Sequence, residues 1–225
     1  EAIRAATADY LIFTDQDCVP REDFVAMHVR FARRGRFVSG GCFRLPMSVS
    51  LAIARENVRS GDAFRLGWLR QRGVRRGFKC GKLFRSGWYA GLMNAVTPAK
   101  ATWNGGNASG WRSDLLAVNG YNEDMAYGGE DRELGERLRN FGLRGRQARY
   151  SAVLLHLDHA RPYRDEAVVR RNNAFRRSVR RAGIVRTPNG IEKLAEAAVG
   201  ERPGPSAAGE GRKVFWRRVA AACLA

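Results

Sequence analysis

Asp15 and Asp17 follow directly on the apolar run Tyr10-Leu11-Ile12-Phe13-Thr14. If that run is a strand, residues two apart face the same way, so the two carboxylates converge on one point. Open α/β sheets bind ligands at the carboxyl ends of their strands, which is where this pair would sit. Hard oxygen ligands so placed suit Mg²⁺ or Mn²⁺ held against a diphosphate; a loop turn with a capping Asp is the plainer alternative. A second acidic group lies at 123–133, where five of the chain's 22 acids (Glu123, Asp124, Glu130, Asp131, Glu133) fall within eleven residues. Glu130 and Asp131 come straight after Gly128-Gly129 and open a helix. The helix dipole favours acids there by a few tenths of a kcal/mol, which leaves the two glycines unexplained. Their lack of a side chain lets a ligand approach the backbone, and a carboxylate beside it can take a proton from an attacking hydroxyl. Two of the three histidines, His156 and His159, close a second apolar run, Leu154-Leu155-His156-Leu157-Asp158-His159. Neutral imidazole tilts a metal site toward Mn²⁺. His159 is the expected ligand, His156 stays open as its alternative, and His28 reads as structural.

The elements that must position these groups are legible in part. Residues 2–8 read as the end of a helix, 10–14 as a strand buried on both faces, and 22–34 as a helix with Phe24, Met27, His28 and Phe31 on one side. A strand is expected at 37–45. The Arg- and Gly-rich stretch 46–100 reads as a helix followed by loops, and 103–110 (Trp-Asn-Gly-Gly-Asn-Ala-Ser-Gly) as turn chemistry. Ser113 is placed as the cap of a short helix to Val118, ended by Asn119-Gly120. Leu134, Leu138 and Phe141 predict a helix over 130–141 that stops at Gly142. A strand follows at 150–156, then a basic amphipathic helix at 168–182 with the stripe Val168, Phe175, Val179, Ala182.

A chain of 225 residues supports one α/β domain, and 44% hydrophobic with 28% charged residues excludes wholesale disorder. No run approaches the length of an apolar membrane-spanning helix. Cys18, Cys42, Cys80 and Cys223 show no CxxC pairing, so neither structural zinc nor a disulfide framework is expected, and a reducing compartment fits. The net charge of +18 is concentrated. Residues 55–85 hold ten basic and two acidic groups (+8), residues 161–225 hold fifteen and six (+9), and the remainder sums to +1. Such segments meet phosphate-rich partners. Set apart from the acids in sequence, they are expected to dock the protein rather than do chemistry. In helix 168–182 Arg170, Arg177 and Arg181 lie on one side and Phe175 and Val179 on another, as on a helix lying in an anionic membrane surface.

Taken together, Tyr-Leu-Ile-Phe-Thr-Asp15-Gln-Asp17-Cys-Val-Pro, then Gly120-Tyr121-Asn122-Glu123, Gly128-Gly129-Glu130-Asp131-Arg-Glu133-Leu and His-Leu-Asp-His159 resemble family 2 glycosyltransferases. The carboxy-terminal half is similar to the galactosyltransferase-type domain of that class. The resemblance covers roughly residues 1–165. It implies a GT-A fold: an α/β domain with a mixed, mostly parallel central sheet flanked by helices. It also implies inverting transfer of a sugar from a nucleotide-diphosphate sugar, taken to be a UDP-sugar, to a glycan or lipid-linked acceptor in cell-envelope polysaccharide synthesis. By the same resemblance Asp15 and Asp17 serve the metal (Mn²⁺ or Mg²⁺) and diphosphate, with Gly128 and Gly129 beside the donor. His159 completes the metal shell, Asp131 is the general base and Glu130 contacts the acceptor. The family's first βαβ unit would precede Glu1, so the chain reads as amino-terminally truncated, and Tyr127 stands where relatives often carry Trp. Residues 1–165 are thus expected to form a partial catalytic domain, 166–199 a basic helical extension and 200–225 a low-complexity basic tail. The expected place is the cytoplasm, on the inner face of the cell membrane.

Two rivals fit less of the sequence. A haloacid-dehalogenase-type phosphatase would use Asp15 as nucleophile, but Val19 is one position late for its motif and no fitting Lys follows. A basic nucleic-acid-binding module would use the charge, yet it leaves the acidic cluster unexplained and no zinc finger or RNP1 stretch is present. No nucleic-acid partner is expected.

Overall fold

The computed structural model describes residues 1–162 and 165–194; the expected tail 200–225, and the end of the expected extension, lie outside them. The described residues form five strands: β1 Tyr10–Thr14, β2 Cys18–Pro20, β3 Arg36–Arg44, β4 Asn107–Trp111 and β5 Arg144–His156. The helices are α1 Ala2–Ala5, α2 Phe24–Phe31, α3 Met47–Ala52, α4 Arg55–Arg59, α5 Leu66–Gln71, α6 Gly87–Val96, α7 Arg112–Ala117, α8 Glu130–Asn140 and α9 Glu166–Ala182. Stretch 46–100 is therefore more helical than expected. No described helix is long and apolar enough to cross a membrane.

The sheet runs β1-β4-β3-β5-β2 and is mixed, as expected, with helices on its faces. Phe37 packs with Trp103, Leu115, Leu134 and Leu138 beneath α7 and α8, while its neighbour Val38 faces Ala148 and Ala152 under Met27 and Phe31 of α2. This is the alternation of a strand covered on both sides. The expectation of a mostly parallel sheet is corrected. Only β3 and β5 pair in parallel; β1–β4, β3–β4 and β2–β5 are antiparallel. The cause is connectivity. The segment between β3 and β4 leaves and returns at the same sheet edge, and so does the turn between β1 and β2, so the strands that follow must run back.

That short turn also curls the sheet. Thr14 and Cys18 can be at most about 14 Å apart, whereas the outer strands of a flat five-stranded sheet stand about 19 Å apart. The parallel pair β3–β5 carries a bulge where Gly40 pairs with Ala148 but Gly41 with Val153, leaving 149–152 as extra residues. A Cβ on Gly41 would overlap the Arg149 carbonyl, so the bulge needs a residue without one. Asp15 and Asp17 thereby come to lie near the end of β5.

β4 is the main misreading: 107–111 is a fully buried central strand, with only 105–106 in a turn. Its polar residues serve a buried network. Asn107 donates to the carbonyls of Gly41 (2.9 Å) and Ala152 (3.1 Å), and its Oδ1 takes the His28 Nε2–H at 3.0 Å. Ser109 Oγ lies 2.7 Å from His28 Nδ1 and 2.8 Å from Tyr10 Oη. His28 is thus structural and neutral. Burial, only partly offset by the bond to Asn107, lowers its pKa from 6.5 to about 4. The unfolded chain takes up this proton from about pH 6.5 downward while the folded one resists, so the stabilisation is complete above pH 6.5 and is lost as pH falls toward 4. Urea unfolding should show a loss of up to about 3 kcal/mol across that window. His28→Gln should flatten the slope; an unchanged slope in the variant rules the assignment out.

Smaller shifts follow local chemistry. Ser113 lies inside α7 and accepts from Arg34 rather than capping. α8 ends one residue early, at Asn140, with Phe141 as its cap. β5 starts six residues before the expected 150, and α9 starts at Glu166 because the Asp165 carboxylate accepts from the Ala167 and Val168 amides.

Candidate active site

Asp15, Asp17, Gly128, Gly129, Glu130, Asp131, His156 and His159 all line one cleft of about 1800 Å³ at the carboxyl edge of β1, β3 and β5. Asp17 stands between the two imidazoles. Its Oδ2 is 2.8 Å from His159 Nε2 and 3.4 Å from His156 Nε2, and the rings stack at 6.0 Å. Each Nδ1–H donates to a backbone carbonyl at 2.8 Å, Leu157 O for His156 and Ala160 O for His159. With each Nδ1 so engaged, both Nε2 atoms are turned toward the carboxylate. Two imidazole nitrogens and a carboxylate oxygen at one point make a donor set for a cation, and a backbone bond at the far nitrogen is the usual support of a metal-bound imidazole. The residues fit a divalent ion. Both histidines join Asp17 within 4.8 Å, whereas Asp15 groups with Asp17 and Cys18 instead.

Asp15 occupies the middle of the cleft against Gly106, where any side chain would overlap its carboxylate. Burial first, then Asp17 and Asp131, raises its pKa above the usual carboxylate value, with His156 opposing. Asp131 is the next acid along. The turn 104–106 connects the two, because the Gly105 amide donates to Asp131 Oδ2 at 3.0 Å while the Arg132 amide donates to Oδ1 at 2.7 Å. Two backbone donors thus fix the orientation of a half-buried carboxylate that faces the cleft. Glu130 turns back to accept the Gly128 amide at 2.7 Å. Gly128 and Gly129 have φ of +113° and +105°, and a Cβ on Gly128 would lie 2.7 Å from Val169 of α9. Packing and backbone shape therefore also require these glycines.

The remaining acids of the cluster have other partners. Glu133 is buried in a two-pronged pair with Arg137 at 2.8 Å, and Arg137 also caps the carbonyls of Val118 and Gly120 (2.7 Å for Gly120). This clamp ties α8 to the turn that carries Tyr121, whose hydroxyl accepts the Trp103 indole N–H at 2.9 Å beside the cleft. Glu123 pairs with Lys193, and Asp124 with Asn189, both at the exposed rim.

The basic segments are not apart from the site in space. Arg75, Lys79 and Lys82 of segment 55–85, with Arg44, Arg149 and Arg161, line the same cleft. Lys82 is buried, donates to Cys42 O at 2.7 Å, and has its pKa lowered to about 8 by burial and then by Arg149, Lys79 and Arg44. A cleft lined by both carboxylates and cations suits a metal-held, phosphate-bearing substrate. The sequence reading missed these cations; the signal was the absence of any acid between Ala63 and Ser113.

Residues 96–160 match the family model described as the N-terminal domain of galactosyltransferase. That segment holds Gly128 to Asp131, His156 and His159; Asp15 and Asp17 precede it. The match supports a glycosyltransferase. No curated protein matches the sequence. Among solved structures, the mannosyltransferase PcManGT from Pyrobaculum calidifontis, in complex with GDP-Man and Mn²⁺, is similar at 16% identity and a TM-score of 0.40. The similarity covers 100% of this chain and 58% of that one, so the chain spans little more than half the length of this neighbour.

Proposed function

We propose that the chain carries the catalytic cleft of a metal-dependent, inverting glycosyltransferase. It would move a sugar from a nucleotide-diphosphate sugar, taken to be a UDP-sugar, to a hydroxyl of a glycan or lipid-linked acceptor. One observation carries the reading: at a single sheet edge, Asp17 between two histidines that turn their Nε2 atoms toward it shares a cleft with Asp131, with Asp15 between them. Asp17, His156 and His159 would hold the ion, with Asp15 next to it; two imidazoles favour Mn²⁺ over Mg²⁺. When bound, such an ion neutralises charge on a leaving diphosphate.

The chain's own groups do the rest. The cations that line the cleft, Lys79 and Arg149 among them, offer charge to the anionic parts of the substrate. Asp131, oriented by two amides, takes the proton of the acceptor hydroxyl as that oxygen attacks the anomeric carbon. A single displacement inverts that carbon. Glu130 keeps the glycine turn closed under the acceptor, with its second oxygen free to meet a hydroxyl.

The direct test supplies the full chain with Mn²⁺ and a panel of nucleotide-diphosphate sugars and follows the first-formed product by proton NMR. Transfer to an alcohol or to water with the opposite anomeric configuration is expected. Retained configuration overturns the single displacement, and phosphate-ester cleavage without sugar transfer overturns the class.

A further inference from the structure

The outward face of α6 carries no polar side chain. Gly87, Trp88, Gly91, Leu92, Ala95 and Val96 are exposed, with Trp88 at 75%, Leu92 at 50% and Val96 at 60%. The opposite face is committed to the core. Ala90 is buried, and Asn94 accepts the Tyr150 amide at 2.8 Å and donates to Ser151 Oγ at 2.9 Å. The helix is therefore pinned to β5 and cannot turn its apolar face inward. A helix bordering water is expected to be polar there, and a contiguous apolar patch marks an interaction site.

The patch continues beyond α6. Ring contacts run from Trp88 to Tyr89 (6.2 Å), from Tyr89 to Phe84 (5.5 Å) and Tyr150 (6.2 Å), and from Tyr150 to Phe78 (6.5 Å). Phe84 and Phe78 are themselves exposed. Beside Trp88 and Phe84 lies a second, apolar groove of about 610 Å³, with Arg65 and Arg85 in its lining.

Charge selects the partner. Residues 63–113, which contain all of this surface except Tyr150, hold ten Lys and Arg and no Asp or Glu. Arg65 pairs with Asp62 and Arg85 with Glu22. Arg70, Arg75, Arg76, Lys79 and Lys100 have no carboxylate at ion-pair distance among the described residues. An apolar, aromatic face carried by a segment rich in cations and free of acids fits an anionic lipid leaflet, whose headgroups meet cations and whose acyl boundary accepts the rings. A nucleic acid would meet the same cations but gain nothing from Leu92 and Val96. A second copy would bring two chains of net charge +18 together.

We propose that α6, with Phe78 and Phe84, is the surface by which this protein lies on an anionic membrane. The expected surface was α9, but there Val179 is fully buried against the fold and only Phe175 of the pair is partly exposed. Phe78 also lines the cleft, so the cleft mouth opens beside the leaflet; membrane binding itself does not depend on the glycosyltransferase reading.

The test is sedimentation of the full chain with phosphatidylcholine vesicles, with and without phosphatidylglycerol. Binding is expected only with the anionic lipid and should fade as salt rises. Trp88→Ser/Leu92→Ser/Val96→Ser should reduce binding at least about tenfold with an unchanged melting temperature, since these side chains stand in water. Trp88→Phe, which keeps the apolar face, should still bind but lose the fluorescence quenching that brominated lipids cause in the parent. Vesicle binding unaffected by the triple substitution, or quenching that survives Trp88→Phe, overturns the assignment to α6. No vesicle binding by the parent overturns the partner. A dimer seen by light scattering that the triple substitution disperses, without vesicle binding, would make a second copy the occupant.

Discussion

Asp131→Asn should lower sugar transfer by about 10²- to 10⁴-fold, the usual worth of a positioned general base. The amide side chain is nearly the same shape, so the turn at 104–106 keeps most of its packing, but it has no charge with which to take a proton. One of its two atoms becomes a donor where the Gly105 and Arg132 amides both need acceptors. A small loss of thermal stability should therefore accompany the loss of rate. Mn²⁺ binding should stay at the parent value, because Asp131 is outside the Asp17, His156, His159 group. A kcat within tenfold of the parent would remove Asp131 as the base. Loss of Mn²⁺ binding in the same variant would mean that the cleft had collapsed rather than lost a proton acceptor.

Asp17→Ala should weaken Mn²⁺ binding by more than the roughly 10- to 100-fold that loss of an outer partner costs a metal site. Asp17 is the carboxylate common to both ligand groups in the cleft, and no other acid stands between the two imidazoles. Calorimetry or the Mn²⁺ spin-resonance signal reads this directly, with no need for turnover. His156→Ala and His159→Ala should each weaken the same signal, because both Nε2 atoms face Asp17. A variant with parent affinity would exclude that side chain as a ligand. Full transfer by the parent in excess chelator would leave the cleft a sugar-transfer site that works without a metal. It would also assign the charge on the leaving group to the cations of the cleft.

What the sequence determined by itself is what local chemistry encodes. The run Tyr10–Thr14 was legible as a strand from its continuous β-forming apolar residues, although it lies at the sheet edge and only Tyr10 of it is buried rather than the whole run on both faces. The Asp-x-Asp, Gly-Gly-Glu-Asp and His-x-x-His groups each stood at a boundary of a strand or helix legible in the sequence; their meeting at one edge came from the short turn that carries the chain from β1 to β2 beside β5. Even His28 was legible, as a polar residue on an apolar helix face. The tertiary structure decided whatever depended on partners distant in the chain. Asn107 and Ser109 have the composition of a turn, and only the placing of β4 between β1 and β3 makes them the hydrogen-bonding centre of a sheet. Glu133 and Asp131 are equally acidic in sequence; a helix presents residues two apart on different sides, so one enters a buried pair with Arg137 and the other the cleft. The cations at 75–82 looked remote from the acids because sequence distance hides a segment that leaves and returns at the same sheet edge. The apolar face of α6 was invisible for a related reason. The stretch reads as loop until the fold shows a helix whose other side is taken by β5, leaving Trp88, Leu92 and Val96 in the water.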